Sequence, residues 1–234
     1  MGIYLNPDNQ DFYMSYNDDI YVDKSMLIEY TNSRLNKASR FICVSRPRRF
    51  GKSTDANMLV AYYSRGCDSH ELFNALKVSK LPDYEKHLNQ HHVIHLNMQE
   101  FLSDANSITE MIDIINKEVM NELLKEYDVD VLRPSLKNYL NKIYNDYKES
   151  FIFIIDEWDC IFREYTEDKD AQKIYLDFLR DLLKDKKYVS LAYMTGILPI
   201  KKYGTHSALN MFKEISMVSP DPIEKFMGFT EEEV

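Results

Sequence analysis

Two short stretches of this 234-residue chain hold residues whose types and order could do phosphate chemistry. The first reads Ser45-Arg46-Pro47-Arg48-Arg49-Phe50-Gly51-Lys52-Ser53-Thr54. Its second half fits the phosphate-loop pattern that ends in Gly-Lys-Ser/Thr, while Arg46 stands where that pattern begins with Gly. Gly51 has no Cβ, so backbone N–H groups can come close to phosphate oxygens there. A helix that starts at this point also aims its unpaired N–H groups and positive dipole end at the same anion. Lys52 would then reach the β- and γ-phosphates as a point charge, and the Ser53 hydroxyl would complete a Mg²⁺ shell. Arg46, Arg48 and Arg49 add positive charge beside the loop, and Phe50 and Thr54 complete the run assigned to a nucleotide. A Gly-Lys-Ser turn on a basic surface loop would carry the same residues with no ligand.

The second stretch is Phe151-Ile152-Phe153-Ile154-Ile155-Asp156-Glu157-Trp158-Asp159. Five consecutive apolar residues before two acids describe a strand buried on both faces with the acids at its C-terminal tip. Open α/β sheets bind ligands at that edge. Asp156 would hold Mg²⁺, usually through water, and Glu157 would polarise an attacking water. The presence of both stretches in one chain is what singles out a nucleotide site.

The elements that must position these residues follow from periodicity. Phe41 to Ser45 predicts a short buried strand leading into the loop, and Gly51 to Tyr63 a helix leaving it, stopped by Ser64-Arg65-Gly66. Further strands are expected at Val93–Asn97, Phe151–Ile155, Leu191–Thr195 and Ile215–Val218. The helical segments between them imply a three-layer α/β domain with a mainly parallel central sheet. Apolar residues at steps of three and four predict amphipathic helices over 107–127, 132–147 and 172–184, with short helices around Pro82. Residues 160–170 read as a polar loop. Tyr21 to Tyr30 passes from an extended piece into a helix capped by Asp23 or Ser25, and either covers the sheet or lines a base pocket near Tyr21. Arg163 and Arg180 are candidates for an arginine that meets phosphate, with surface charge as the plainer reading. His87 and His91 have the spacing of a metal pair on a helix. The strand-like alternation from Val93 to Leu96 argues instead for solvated or core histidines.

The formal charge is −9, from 29 basic and 38 acidic residues, so the overall field repels nucleic acid and direct nucleic-acid binding is not expected. Three cysteines at wide, irregular spacing (Cys43, Cys67, Cys160) read as thiols of a reducing compartment. No apolar run approaches the ~18 residues of a membrane helix, and the N-terminus lacks the basic and apolar regions of a signal peptide. A cytoplasmic protein without membrane contact is expected.

Tyr21-Val22-Asp23-Lys24-Ser25, the Ser45–Ser53 loop, Ile155-Asp156-Glu157-Trp158-Asp159, Thr195-Gly196-Ile197-Leu198-Pro199 and Leu209 to Ser216 together resemble the bacterial AAA-ATPase-like family. That family lies within the wider class of STAND-type and archaeal-type P-loop ATPases. The resemblance covers nearly the whole chain, and the family commonly replaces the loop's first Gly. It implies the strand order 5-1-4-3-2, with a strand inserted between the loop strand and the acidic strand. It also implies ATP and Mg²⁺ as cofactors and Thr195 beside Asp156 at the sensor position, orienting the attacking water. Members often continue into a C-terminal nuclease-like domain of the PD-(D/E)XK type, so such a domain, another protein or a second copy of the chain is the implied partner. The expected division is an N-terminal segment packing on the core (1–40), a P-loop ATPase core (41–220) and the start of a helical lid (221–234). Thr230 and Glu233 form a capping box at that start. The expected function is Mg-dependent ATP binding and hydrolysis acting as a nucleotide-driven switch. The alternative is a nucleotide-gated regulatory module with little hydrolysis that controls a nuclease or defence partner. A small-molecule kinase fits less well, because an Asp-Glu pair suits water activation.

Overall fold

In the computed structural model of the chain, residues 2–200 and 208–217 are described, together with Phe226 and Gly228. The chain opens with helices α1 (Gln10–Tyr16) and α2 (Leu27–Asn32), then strand β1 (Phe41–Ser45) and helix α3 (Lys52–Tyr63). Short helices α4 (His70–Phe73) and α5 (Tyr84–His87) lead to β2 (His92–Asn97), followed by α6 (Met98–Ser103), α7 (Ile108–Glu126) and α8 (Leu136–Tyr147). Then come β3 (Phe151–Asp156), α9 (Cys160–Glu164), α10 (Lys169–Leu183), β4 (Val189–Gly196) and β5 (Lys213–Ile215).

The strands form one sheet in the order β2-β3-β4-β1-β5, and every pairing is parallel. Read from the other edge this is 5-1-4-3-2, the order implied by the resemblance. β4 is the strand inserted between β1 and β3. Because strand side chains alternate, each strand feeds two cores. Phe153 and Ile155 of β3 join Cys43 and Met194 under α7, α8 and α10. Ile152 and Ile154 join Val44, Leu191 and Tyr193 under α1, α2 and α3. Burial on both faces is why β1, β3 and β4 read as unbroken apolar runs.

Several local expectations change. Asp23 does not cap α2. Its Oδ1 accepts from the Ser25 N–H at 2.8 Å one turn earlier, and Met26 holds the cap position. The stretch expected as a polar loop contains α9, because Cys160, Ile161 and Phe162 are buried against the α10 side of the sheet. The last strand is Lys213–Ile215, two residues earlier than expected at its start. Val218, Lys201, Lys202 and the capping box of the expected lid lie outside the described residues.

Residues 4–6 were given no role by periodicity, yet they cover the outer edge of β2. Tyr4 O accepts from His95 N at 2.9 Å, Asn6 N donates to Val93 O at 2.8 Å, and Leu5 bridges Ile94 antiparallel. An exposed edge strand is a template for unwanted pairing, and this contact blunts it. Among the described residues no helix is long and apolar enough to cross a membrane.

Candidate functional site

The all-parallel sheet puts the C-terminal ends of β1, β3 and β4 side by side, so the two chemically suggestive stretches meet at one edge. Val44 is in register with Thr195, and Ile155 with Met194, which leaves Asp156 beside Thr195. Thr195 Oγ1 donates to Asp156 Oδ1, and the Glu157 N–H donates to the same oxygen at 2.9 Å. Both donors use Oδ1, which leaves Oδ2 for a cation.

The loop between β1 and α3 turns through left-handed backbone at Arg49 (φ 68°) and Gly51 (φ 75°). A Cβ built on Gly51 would meet nothing within 4 Å among the described residues, so glycine is required there by its conformation, and no described residue fills the space above it. α3 begins at Lys52, directly after Gly51, which aims the first N–H groups of a twelve-residue helix into that space. Ser53 and the loop residues Arg48 and Arg49 are exposed, while Phe50 and Thr54 are half-buried. Arg46 differs from the expectation of a cation beside the loop. It is buried, its N–H donates to Gly196 O at 3.1 Å and its Nη1 to Ser45 O at 3.3 Å, so it fastens the loop to β4.

The Lys52 side chain is buried, and its Nζ donates to Pro47 O at 2.9 Å, across the loop it belongs to. Burial lowers its pKa. The negative charges of Glu157, Asp156 and Asp159 oppose that fall, and the charge of Arg163 adds to it. The lysine amine therefore sits within the field of the acidic strand tip.

A cavity of about 220 Å³ adjoins the loop. Arg49, Gly51 and Thr54 line one side, and Tyr21 and Val22 of the N-terminal segment line the other. Asp55 also lines it. This aspartate is buried on α3, its Oδ2 has no hydrogen-bond partner among the described residues, and burial raises its pKa well above the carboxylate range despite the facing charge of Lys24. Sequence reasoning missed it, because an acid in the first turn of a helix reads as an ordinary complement to the helix dipole.

Glu157 occupies a left-handed turn (φ 52°) directly after β3. Its Oε2 accepts from Arg163 Nη2. Arg163 also donates from Nη2 to Gln99 Oε1 at 3.3 Å, and its Nε lies 3.9 Å from Asp159 Oδ2. The Arg163 side chain is 17% exposed, so it is not a plain surface charge. Arg180 is one, 40% exposed and paired with Asp177 and Asp181 on its own helix. Asp159 is fully buried, and its Oδ2 accepts from Ile197 N at 3.0 Å and Leu198 N at 2.7 Å. It thereby clamps the turn that follows Thr195. The sequence carries Asp159 only within the Ile155–Asp159 stretch of the resemblance and assigns it no role, since its partners lie in the turn after another strand.

The Ser53 hydroxyl and the Asp156 carboxylate are hard oxygen donors of the kind Mg²⁺ takes, so these residues fit that ion. His87 and His91 turn to each other instead, Nδ1 to Nε2 at 2.9 Å with stacked rings. No group of three or more His, Cys, Asp or Glu able to hold a metal occurs among the described residues.

A family profile described as "Predicted AAA-ATPase" matches residues 10–205. No curated protein matches the chain. Among solved structures, the ORC2 protein of Aeropyrum pernix, in ADPNP and ADP complexes, aligns over 89% of this chain and 51% of its own, at 11% identity and a TM-score of 0.45. The chain thus spans about half the length of that structure.

Proposed function

The chain belongs to the AAA-ATPase-like family, and from that premise we propose that it binds and hydrolyses ATP with Mg²⁺ as a nucleotide-driven switch. One observation carries the reading: Lys52, Asp156, Glu157 and Thr195 come from three different segments and meet at one sheet edge. In this reading the N–H groups of the loop and of the first turn of α3, with Lys52, Arg48 and Arg49, hold the phosphates. Phe50 and Thr54 complete the loop wall. Ser53 and Asp156 hold Mg²⁺, which when bound neutralises charge on the phosphate oxygens. Glu157 takes the proton of the attacking water, and Thr195 fixes both the Asp156 carboxylate and the position of that water. Tyr21 and Val22 face the cavity where the base would lie.

The fused or separate partner that such a switch would drive is a nuclease-like domain, another protein or a second copy of the chain. The second reading, a nucleotide-gated module with little hydrolysis, is favoured by the pairing of Glu157 with Arg163. Titration of wild type and Lys52→Ala with ATP and GTP, with phosphate release followed in parallel, tests the site. Loss of Lys52 removes a charge-assisted contact worth roughly 1.5–3 kcal/mol, so ATP affinity should fall about tenfold or more. Unchanged affinity would overturn the nucleotide site.

A further inference from the structure

Arg163 and Asp159 each carry an unmet hydrogen-bonding group at the proposed site. Arg163 Nε is buried without a hydrogen-bond partner among the described residues, and so is Asp159 Oδ1. They belong to side chains already close, with Arg163 Nε 3.9 Å from Asp159 Oδ2, beyond hydrogen-bond range. The guanidinium instead spends Nη2 on Glu157 and Gln99. Buried polar groups are ordinarily satisfied, so a guanidinium N–H left unpaired 3.9 Å from a carboxylate oxygen that so far accepts only the backbone N–H groups of Ile197 and Leu198 marks an arrangement with a second option nearby.

From this geometry we infer that Arg163 is a positioning residue that toggles between Glu157 and Asp159, and that Glu157 acts on water only when Arg163 has moved to Asp159. The inference rests on the proposed ATPase reading of the site. In the observed arrangement one Glu157 oxygen is held by a fixed cationic donor, in a pair whose side chains are only 17% and 24% exposed. Such shielding makes the pair stronger than an ordinary surface pair. A movement of about an ångström brings Arg163 Nε within reach of Asp159, so a new charge-assisted bond offsets the one given up. Two features tie the movement to the rest of the site. Glu157 sits on a left-handed turn that only its surroundings hold in place. Asp159 grips the Ile197–Leu198 turn directly after Thr195, so the arginine reports to the end of β4 as well as to β3.

The test compares phosphate release and ATP affinity in wild type, Arg163→Met, Arg163→Lys, Glu157→Gln and Arg163→Met/Glu157→Gln, all in the 234-residue chain. Met keeps the apolar length of the stem, and thermal melts check that the fold survives. Arg163→Met is expected to raise turnover at saturating ATP roughly fivefold to tenfold with little change in ATP affinity. Arg163→Lys should fall between, and the double variant should match Glu157→Gln. A purely structural role would lower turnover in Arg163→Met and would not depend on Glu157. Unchanged or reduced turnover in Arg163→Met, in a protein that still melts cooperatively, overturns the toggle, as does a gain that survives in the double variant. If wild-type turnover is negligible, a Glu157-dependent gain in Arg163→Met supports it and no gain overturns it. Failure of the underlying ATPase reading has a different signature: Lys52→Ala binds ATP as tightly as wild type.

Discussion

At the amino-terminal edge of the sheet, His92 is buried among Asn6, Arg65 and Tyr127; at the carboxyl edge, Lys52 and Asp156 are buried among Thr195, Glu157 and the loop. Both edges draw polar groups from several elements. At the first they close on one another. His92 Nε2 lies 2.8 Å from Arg65 Nη1 and 2.9 Å from Tyr127 OH, Asn6 Oδ1 accepts from Val93 N at 2.9 Å, and Glu122 accepts three N–H groups from residues 3–5. The result is a stitch that holds the N-terminal residues to β2 and α7. At the second edge capacity is left over: Lys52 bonds the carbonyl of its own loop, Asp156 bonds through one oxygen, and Asp159 and Trp158 each keep a buried atom without a partner among the described residues. Saturated polar networks fix a fold, whereas partly saturated ones at a strained turn await a ligand.

The largest effect should come from Glu157→Gln. Loss of the water-activating carboxylate is expected to cut turnover by 10²–10⁴, of the order of general-base catalysis, with ATP affinity largely kept. Comparable turnover in the variant would erase the contrast between the edges.

Next comes acid sensitivity, which should belong to the amino-terminal edge. His92 is pressed from 6.5 to about 4, first by burial and then by the charges of Arg65 and His91. His91 falls to about 4 by burial, His87 and Lys86. A histidine with a depressed folded-state pKa stays neutral in the native protein while the unfolded chain takes up a proton. Its stability is therefore full above pH 6.5 and is lost as pH falls toward 4. The Glu149 and Glu126 carboxylates, 3.5 and 4.0 Å from the His92 ring nitrogens, oppose part of the fall at that residue, so each histidine contributes at most about 3 kcal/mol over that window. Urea melts from pH 7 to 4 should show a midpoint loss that His92→Gln reduces, and equal slopes in the two proteins would count against it.

Two glycines sharpen the comparison further. A Cβ on Gly66 would lie 2.1 Å from Asn6 O, and one on Gly196 would lie 2.6 Å from Trp158 Nε1 and 2.8 Å from Asp159 Oδ1. Either alanine should cost roughly 1–3 kcal/mol of stability by overpacking. Gly66→Ala should leave ATP turnover per folded molecule intact, while Gly196→Ala should lower it, and the reverse pattern would contradict the division of labour. The smallest effect belongs to neither edge. Ser107 Oγ accepts from Glu110 N at 3.2 Å at the start of α7, so Ser107→Ala should cost about 1 kcal/mol in a denaturant melt and nothing in turnover.

Much of this fold is local and therefore legible. The unbroken apolar runs of β1, β3 and β4 and the three- and four-residue steps of α7, α8 and α10 are read from neighbours in sequence, because burial on both strand faces or on one helix stripe imposes them. The family resemblance supplied the strand order, which periodicity does not carry. Residues 160–164 were misread because a five-residue helix is too short to show a period. The site's anchor residues were legible for the same reason as the strands: Gly51-Lys52-Ser53 and Asp156-Glu157 are contiguous. Their partners were not. Arg46 reads as one more loop cation until it is seen buried against Gly196, and Arg163 reads as a surface charge until it is seen bonded to Glu157 and Gln99.

The sequence by itself determined where the phosphate loop and the acidic strand tip fall, since backbone conformation and burial pattern depend on adjacent residues. Only the tertiary structure decided which charges face one another across the sheet edge, because the Asp159–Arg163 segment, Gln99 and Thr195 belong to three separate stretches of chain, and the crossovers between parallel strands fix their distances.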